Sequence, residues 1–179
     1  MTEFQVSLLR AINVGGRNRI SMSRLRAIYE QLGCREVTTY VQSGNVIFAS
    51  PDEPADVSPR AEAVLEQELG TRMRVLGRTH VELGRIVDED PYPGAEPTHH
   101  HVVFLSGPAN PKGLAAIAAA AVDGEAFVAT DREIHLLLPN GIGRSRTVAA
   151  LTERALGAVP TTRNWRTVSQ LHELSRPRP

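Results

Sequence analysis

One seven-residue pattern occurs twice in this chain. Asn13-Val14-Gly15-Gly16-Arg17-Asn18-Arg19 and Asn140-Gly141-Ile142-Gly143-Arg144-Ser145-Arg146 both read N-x-x-G-R-x-R, and each leads from a predicted strand into a predicted helix. The chemistry open to such residues is anion capture. A helix N-terminus presents unpaired N–H groups and a partial positive charge. Glycines let that backbone approach a ligand closely, which is the general recipe for an anion site. The arginines sharpen the argument. A cation in the first turn opposes the helix dipole by roughly 0.3–1 kcal/mol, so something negative should offset it: an internal acid or a bound anion. Arg10 precedes the first loop, and Arg163 and Arg166 flank Asn164, a candidate helix cap and a third case. Neither loop is a Walker A or a dinucleotide-binding fingerprint, because GK[ST] and G-x-G-x-x-G are both missing.

The candidate ligand-binding residues follow from this. The first loop supplies Arg10, Asn13, Gly15, Gly16, Arg17 and Asn18, with Arg19 for charge. The second supplies Asn140, Gly141, Gly143, Arg144 and Ser145, with Arg146, and Arg163 and Asn164 add to them. Gln42, Ser43 and Asn45 sit in a tight turn, where they either serve the turn itself or offer hydrogen bonds to the same ligand. The repeat leaves open whether the two loops form one site or two.

Catalytic machinery is not visible. Ser43 as a nucleophile needs a base, and no histidine or lysine lies near it in sequence. No histidine or carboxylate sits in any of these loops. In the triplet His99-His100-His101, strand alternation puts His99 and His101 on one face, so those two could share an ion. No carboxylate stands at helical spacing to complete a known pattern, and the expectation is no metal and no cofactor. Cys34 is the single cysteine, which excludes an internal disulfide framework and predicts a buried structural thiol.

The formal net charge is zero, from 20 basic and 20 acidic residues, yet the charges segregate. No acid lies between Glu3 and Glu30, where Arg10, Arg17, Arg19, Arg24 and Arg26 fall, and the segment from Asn140 onward is again arginine-rich. The stretches between are acidic. Either the basic ends pair with the acidic middle, or they form a positive patch aimed at an anion. At 41% apolar and 22% charged residues the composition is that of a globular protein. No apolar run approaches the roughly 18 residues of a membrane span. The N-terminus lacks the basic-then-apolar order of a signal peptide, so the cytoplasm is the expected location, with no membrane partner.

The elements that must position these residues read as follows. Residues 4–12 begin with period-two alternation and form a strand. A helix capped at Ser21 or Ser23 carries Met22, Leu25, Ile28 and Leu32 at helical spacing and stops at Gly33. Strands at 37–42 and 46–49 flank the Ser43-Gly44-Asn45 turn. A polar loop at 51–59, a helix at 60–69 and a strand at 73–76 complete β-α-β-β-α-β, the ferredoxin-like or split βαβ unit. The predicted domains are 1–79, a linking helix and Pro-rich linker at 80–98, and a second unit at 99–179. That second unit reads β-α-β-β-α-α, a divergent copy with its final strand replaced. Its helices are placed at 111–122, 144–156 and 165–174. The fold class is therefore α+β, with two ferredoxin-like units in tandem and antiparallel sheets carrying helices on one face.

Leu8-Leu9-Arg10-Ala11-Ile12-Asn13-Val14-Gly15-Gly16 and Tyr40-Val41-Gln42-Ser43-Gly44-Asn45-Val46 resemble a large bacterial family, domain of unknown function 1697, whose typical text is LLRGINVGG and TYIQSGNV. Leu138-Pro139-Asn140-Gly141-Ile142-Gly143-Arg144-Ser145 and Thr161-Thr162-Arg163-Asn164-Trp165 are similar to its C-terminal half. Ala11 stands where the family usually has glycine, and Arg17 where lysine is common. The resemblance implies a cytosolic bacterial α+β protein and carries no reaction with it.

Three function classes remain. The first is a binding protein for a phosphate-bearing anion, a nucleotide or a nucleic-acid backbone. The second is an enzyme acting on a phosphorylated small molecule. The third is a structural or interaction module with no small ligand. RNA recognition on an open sheet face would need exposed stacking aromatics, and only Tyr40 and Phe48 are candidates in the first sheet.

Overall fold

Apolar alternation in the first segment forms β1 (Glu3–Leu9), and its two faces do different work. The computed structural model describes residues 3–13, 15, 18–42, 44–122 and 124–177. After β1 come α1 (Met22–Gln31), β2 (Arg35–Tyr40), β3 (Asn45–Ser50), α2 (Pro54–Leu69), β4 (Val75–Thr79) and α3 (His80–Asp88). The strands form an antiparallel sheet in the order β2-β3-β1-β4. Leu9, Val46, Phe48 and Val75 pack under Leu25, Ile28 and Tyr29 of α1 and Val57, Ala61 and Leu65 of α2. The alternate residues Val6, Leu8, Ile47 and Ala49 are buried as well, so β1 and β3 are shielded on both faces.

The second half repeats this plan. It runs β5 (His100–Leu105), α4 (Pro111–Ala120), β6 (Ala126–Ala129), β7 (Glu133–Leu137), a 3₁₀ turn (Ile142–Arg144), α5 (Arg146–Ala150), α6 (Glu153–Leu156), β8 (Pro160–Asn164) and α7 (Trp165–Leu174). Its sheet order, β6-β7-β5-β8, matches the first position for position. Val103, Leu105, Ile134 and Leu136 pack against Ile117 of α4 and Leu156 of α6.

The final strand is therefore present, which corrects the β-α-β-β-α-α reading of this unit. β8 is short, opens on Pro160 and lies at the sheet edge, where proline's missing N–H is tolerated. Its polar Arg163 and Asn164 masked it in the sequence. Two helices also differ from expectation. α2 begins at Pro54 and carries Pro59 inside it. Proline suits the first helical position, whereas Pro59 stands in the second turn and lacks the N–H that would bond the Ala55 carbonyl. The single helix expected at 144–156 is a 3₁₀ turn and two short helices, because the Thr152 hydroxyl accepts the Ala155 N–H and restarts the chain as α6.

The chain divides into one unit ending at Asp88, to which the residues from Gln170 on also belong, and a second covering Glu89–Ser169. The late residues join the first unit through α3. The His172 ring stacks on His80 with centroids 4.6 Å apart, and the Ser175 hydroxyl lies 3.0 Å from His80 Nδ1. Residues 89–98 fall within the second of these units.

Gly113 gives a direct test of the second core. A Cβ there would sit 2.3 Å from the Ala155 carbonyl oxygen and 2.8 Å from its carbon. Backbone cannot yield as a side chain can, so Gly113→Ala should force α4 from α6. The expected net loss in chemical denaturation is about 1–2 kcal/mol, despite alanine's better helix propensity.

Candidate functional site

The first N-x-x-G-R-x-R loop is braced from within. Asn13 takes a left-handed backbone, φ 54°, which asparagine tolerates. Its Nδ2 donates to the carbonyls of Ile20 (3.1 Å) and Gln42 (3.3 Å), and its Oδ1 accepts the Ile20 N–H at 2.9 Å. Asn18, φ 50°, donates Nδ2 to the Ala11 carbonyl at 3.0 Å, and its own carbonyl accepts the Asn13 N–H at 3.1 Å. The two asparagines read as ligand donors therefore spend their amides on the loop. Gly15 is exposed with φ 59°. Arg10 is half-buried and anchors its backbone N–H on the Arg74 carbonyl at 2.9 Å. Gly16, Arg17 and Ser43 lie outside the described residues.

The turn between β2 and β3 is pressed against this loop. Gly44 has φ +73°, and a Cβ on it would lie 2.3 Å from Ile12 Cγ2 and 2.8 Å from Leu9 Cβ. Its carbonyl accepts the Leu9 N–H at 2.8 Å. Asn45 is fully buried, and its Nδ2 closes the turn on the Tyr40 carbonyl at 3.0 Å. Of the two uses the sequence leaves open for it, its amide serves the turn, and all of β3 is buried. Val41 is 51% exposed at φ 50°, a conformation that costs a β-branched residue about 1–3 kcal/mol.

Loop, turn and helix enclose a cleft of about 590 Å³ lined by Asn13, Arg19, Ile20, Ser21, Met22 and Gln42. Ser21 caps α1 by accepting the Arg24 N–H at 3.1 Å. The first turn holds no acid, and the Met22 and Ser23 N–H groups have no partner among the described residues. Arg19 is exposed and makes no ion pair or hydrogen bond among them. Arg24, by contrast, is held by Glu68 through paired bonds of 2.9 and 2.8 Å. Pairing of the basic start with the acidic middle thus accounts for Arg24 and not for Arg19.

The second loop, in the other unit, solves its charge problem internally. Asn140 is exposed, Gly141 has φ 82°, and Gly143, Arg144 and Arg146 are exposed. Ser145 caps the five-residue α5. Glu125 lies at that helix start and accepts from the Thr147 hydroxyl and N–H, the Ser145 hydroxyl and the Val122 N–H. Burial pushes its carboxyl up, but these donors outweigh burial and hold it below the usual range. Asn164 caps α7 by accepting the Thr167 N–H at 2.9 Å. Desolvation lowers the Arg163 guanidinium to about 10, and its Nη1 donates to Thr161 Oγ1 (3.0 Å) and the Thr162 carbonyl (2.8 Å).

Three residues not grouped together from the sequence, Asp90, His100 and His135, meet at the second sheet. His100 Nε2 lies 3.1 Å from His135 Nδ1, and His100 Nδ1 lies 3.6 Å from Asp90 Oδ1. The Trp165 ring stacks on His100 at 4.3 Å, and Tyr92 meets it edge-on at 5.4 Å. Burial pushes the His100 imidazole down to about 4 against the pull of Asp90, and lowers His135 too. By strand alternation His99 and His101 share one face, and Asp90 and Tyr92 fall in the stretch expected as a linker. The alternation was the right signal, but His100 faces the cluster, and its partners come from other segments.

The sheet-face mode of RNA recognition is excluded for β1 and β3, since both faces are buried. Phe48 is 1% exposed and packs on Tyr29 with centroids 5.1 Å apart.

These features define an α+β protein of two ferredoxin-like units, with its cleft where the β1–α1 loop meets the β2–β3 turn. The chain belongs to the family described as Protein of unknown function (DUF1697), which matches residues 1–135. That span contains the first loop and the turn, and ends before the second loop. Among solved structures, the chain is similar to the conserved bacterial protein SP0830 from Streptococcus pneumoniae. The two share 18% identity and a TM-score of 0.82, over 98% of this chain and 100% of that one. A comparison with curated proteins returns no match. No helix among the described residues is long and apolar enough to cross a membrane.

Two outcomes check this geometry. Asn13→Ala should cost about 2–3 kcal/mol by removing three hydrogen bonds at a left-handed position, whereas Asn140→Ala should stay within about 0.5 kcal/mol. Urea titration measures both. Cys34 is buried, and that burial pushes its thiol up to about 11. A disulfide reagent at about pH 8 should therefore label the folded chain far more slowly than the unfolded one.

Proposed function

We propose that this is a cytoplasmic protein that binds a phosphate-bearing anion, a nucleotide or a nucleic-acid backbone, in the cleft beside the N-terminus of α1. The observation that carries the reading is Arg19: an exposed guanidinium without a partner among the described residues, in a cleft that also holds an acid-free helix start. A helix N-terminus and an adjacent arginine attract the same charge sign and supply directional donors. The side chains of Ser21 and Gln42 add polar groups at the rim. Strained backbone at Ala11, Asn13, Asn18 and Val41 supports it, because such conformations gather where a fold holds a site in place. Binding is favoured over turnover, since none of the six lining residues is a histidine or carboxylate that could act as a base. The second loop is a weaker candidate because Glu125 already occupies its helix start.

The test is titration with pyrophosphate, ATP and a short single-stranded DNA at two salt concentrations. Affinity should fall as salt rises. Arg19→Ala should weaken binding about tenfold while changing stability by less than about 0.5 kcal/mol. Arg144→Ala should leave affinity unaltered. Loss of binding in Arg144→Ala alone would move the site to the second loop. Unchanged affinity in both, or no binding at all, would leave the interaction-module reading in its place.

A further inference from the structure

We propose that Asp90, His100 and His135 form a binding site for one first-row divalent cation of the Zn²⁺ type, taking one ring nitrogen from each histidine and one carboxylate oxygen. This is independent of the anion cleft. One ligand atom from each of the three residues lies within 4.8 Å of the others. Bond lengths near 2.0–2.1 Å around a tetrahedral ion set donors about 3.3 Å apart, so the donors must close by up to about 1.5 Å on the ion. His100 Nδ1 is buried without a hydrogen-bond partner and faces Asp90 Oδ1 at 3.6 Å, beyond bonding reach. Its side chain is 1% exposed. Buried polar atoms are rarely left unmet, and a cation between imidazole and carboxylate satisfies both. The Tyr92 hydroxyl is a second orphan on a ring that meets His100 edge-on.

The surroundings suit a metal centre. The Tyr92 N–H donates to Asp90 Oδ1 at 2.8 Å, which orients the carboxylate. Trp165 and the sheet fix the His100 ring. Two imidazoles and a carboxylate form a donor set used by Zn²⁺ and its first-row neighbours, with room left for water.

Trp165 is the chain's one tryptophan and stacks on a proposed ligand, so it reports on the site. Tag-free protein stripped with a chelator is titrated with Co²⁺, whose unfilled d shell quenches nearby indole emission. The expected result is saturable quenching at one ion per chain, reversal by Zn²⁺, and a rise in unfolding temperature with Zn²⁺. Asp90→Asn and His135→Gln should each weaken binding roughly tenfold or more, while His99→Gln should retain it. Asp90→Asn preserves side-chain shape, and near-ultraviolet circular dichroism confirms that it folds. No saturable quenching in excess metal would overturn the proposal. So would binding of equal strength in Asp90→Asn and His135→Gln, which would assign the ion to other side chains.

Discussion

The amide of Asn13 ties three segments together. Its two hydrogens reach the carbonyls of Ile20 and Gln42, and its oxygen takes the Ile20 N–H. The loop after β1 is thereby closed on itself, joined to the β2–β3 turn and handed into α1. A left-handed backbone at Asn13 is the condition for this reach. Gly44 completes the contact from the other side, because only a residue without Cβ can lie against Leu9 and Ile12. The cleft, the position of Arg19 and the exposure of the α1 start all depend on that junction.

Identical short text does not make identical sites. Both loops read N-x-x-G-R-x-R, yet they stand at different connections of the repeated unit. One follows β1, the other β7. The first opens on a ten-residue helix without an acid in its first turn. The second opens on five helical residues, and the carboxylate of Glu125 fills the donors at their start. Electrostatics demanded something negative at each helix start. The second loop meets that demand within the chain, and among the described residues the first leaves it open.

The segment around Asp90 shows the same dependence on context. Pro91 and Pro93 mark it as a break between units in the sequence, and by composition it is a linker. In the fold its Asp90 and Tyr92 dock on His100, under the ring of Trp165. Proline makes a segment stiff as well as non-helical, and a stiff segment can hold a carboxylate against a sheet at low entropic cost.

Much of the fold was legible because its signals are local. Alternation in β1, the capped amphipathic α1 and the Ser43-Gly44-Asn45 turn follow from neighbours two to four residues apart, and they fix the order of elements in the first unit. β8 was not legible: five residues opening on proline carry too little pattern to declare an edge strand. The adjacency of the first loop and the turn was implied by topology, but the work of each residue was not. Sequence presented Asn13, Asn18 and Asn45 as donors for a ligand, and tertiary structure turned their amides onto backbone carbonyls. Likewise the sequence determined that an arginine loop precedes each of two helices, and tertiary structure decided which of them meets a carboxylate. The partners that decided these matters lie 29 residues apart for Asn13 and Gln42, 22 for Thr147 and Glu125, and 35 for His100 and His135. Periodicity reaches only a few residues along the chain, whereas hydrogen bonding and charge act across whatever distance the fold has closed.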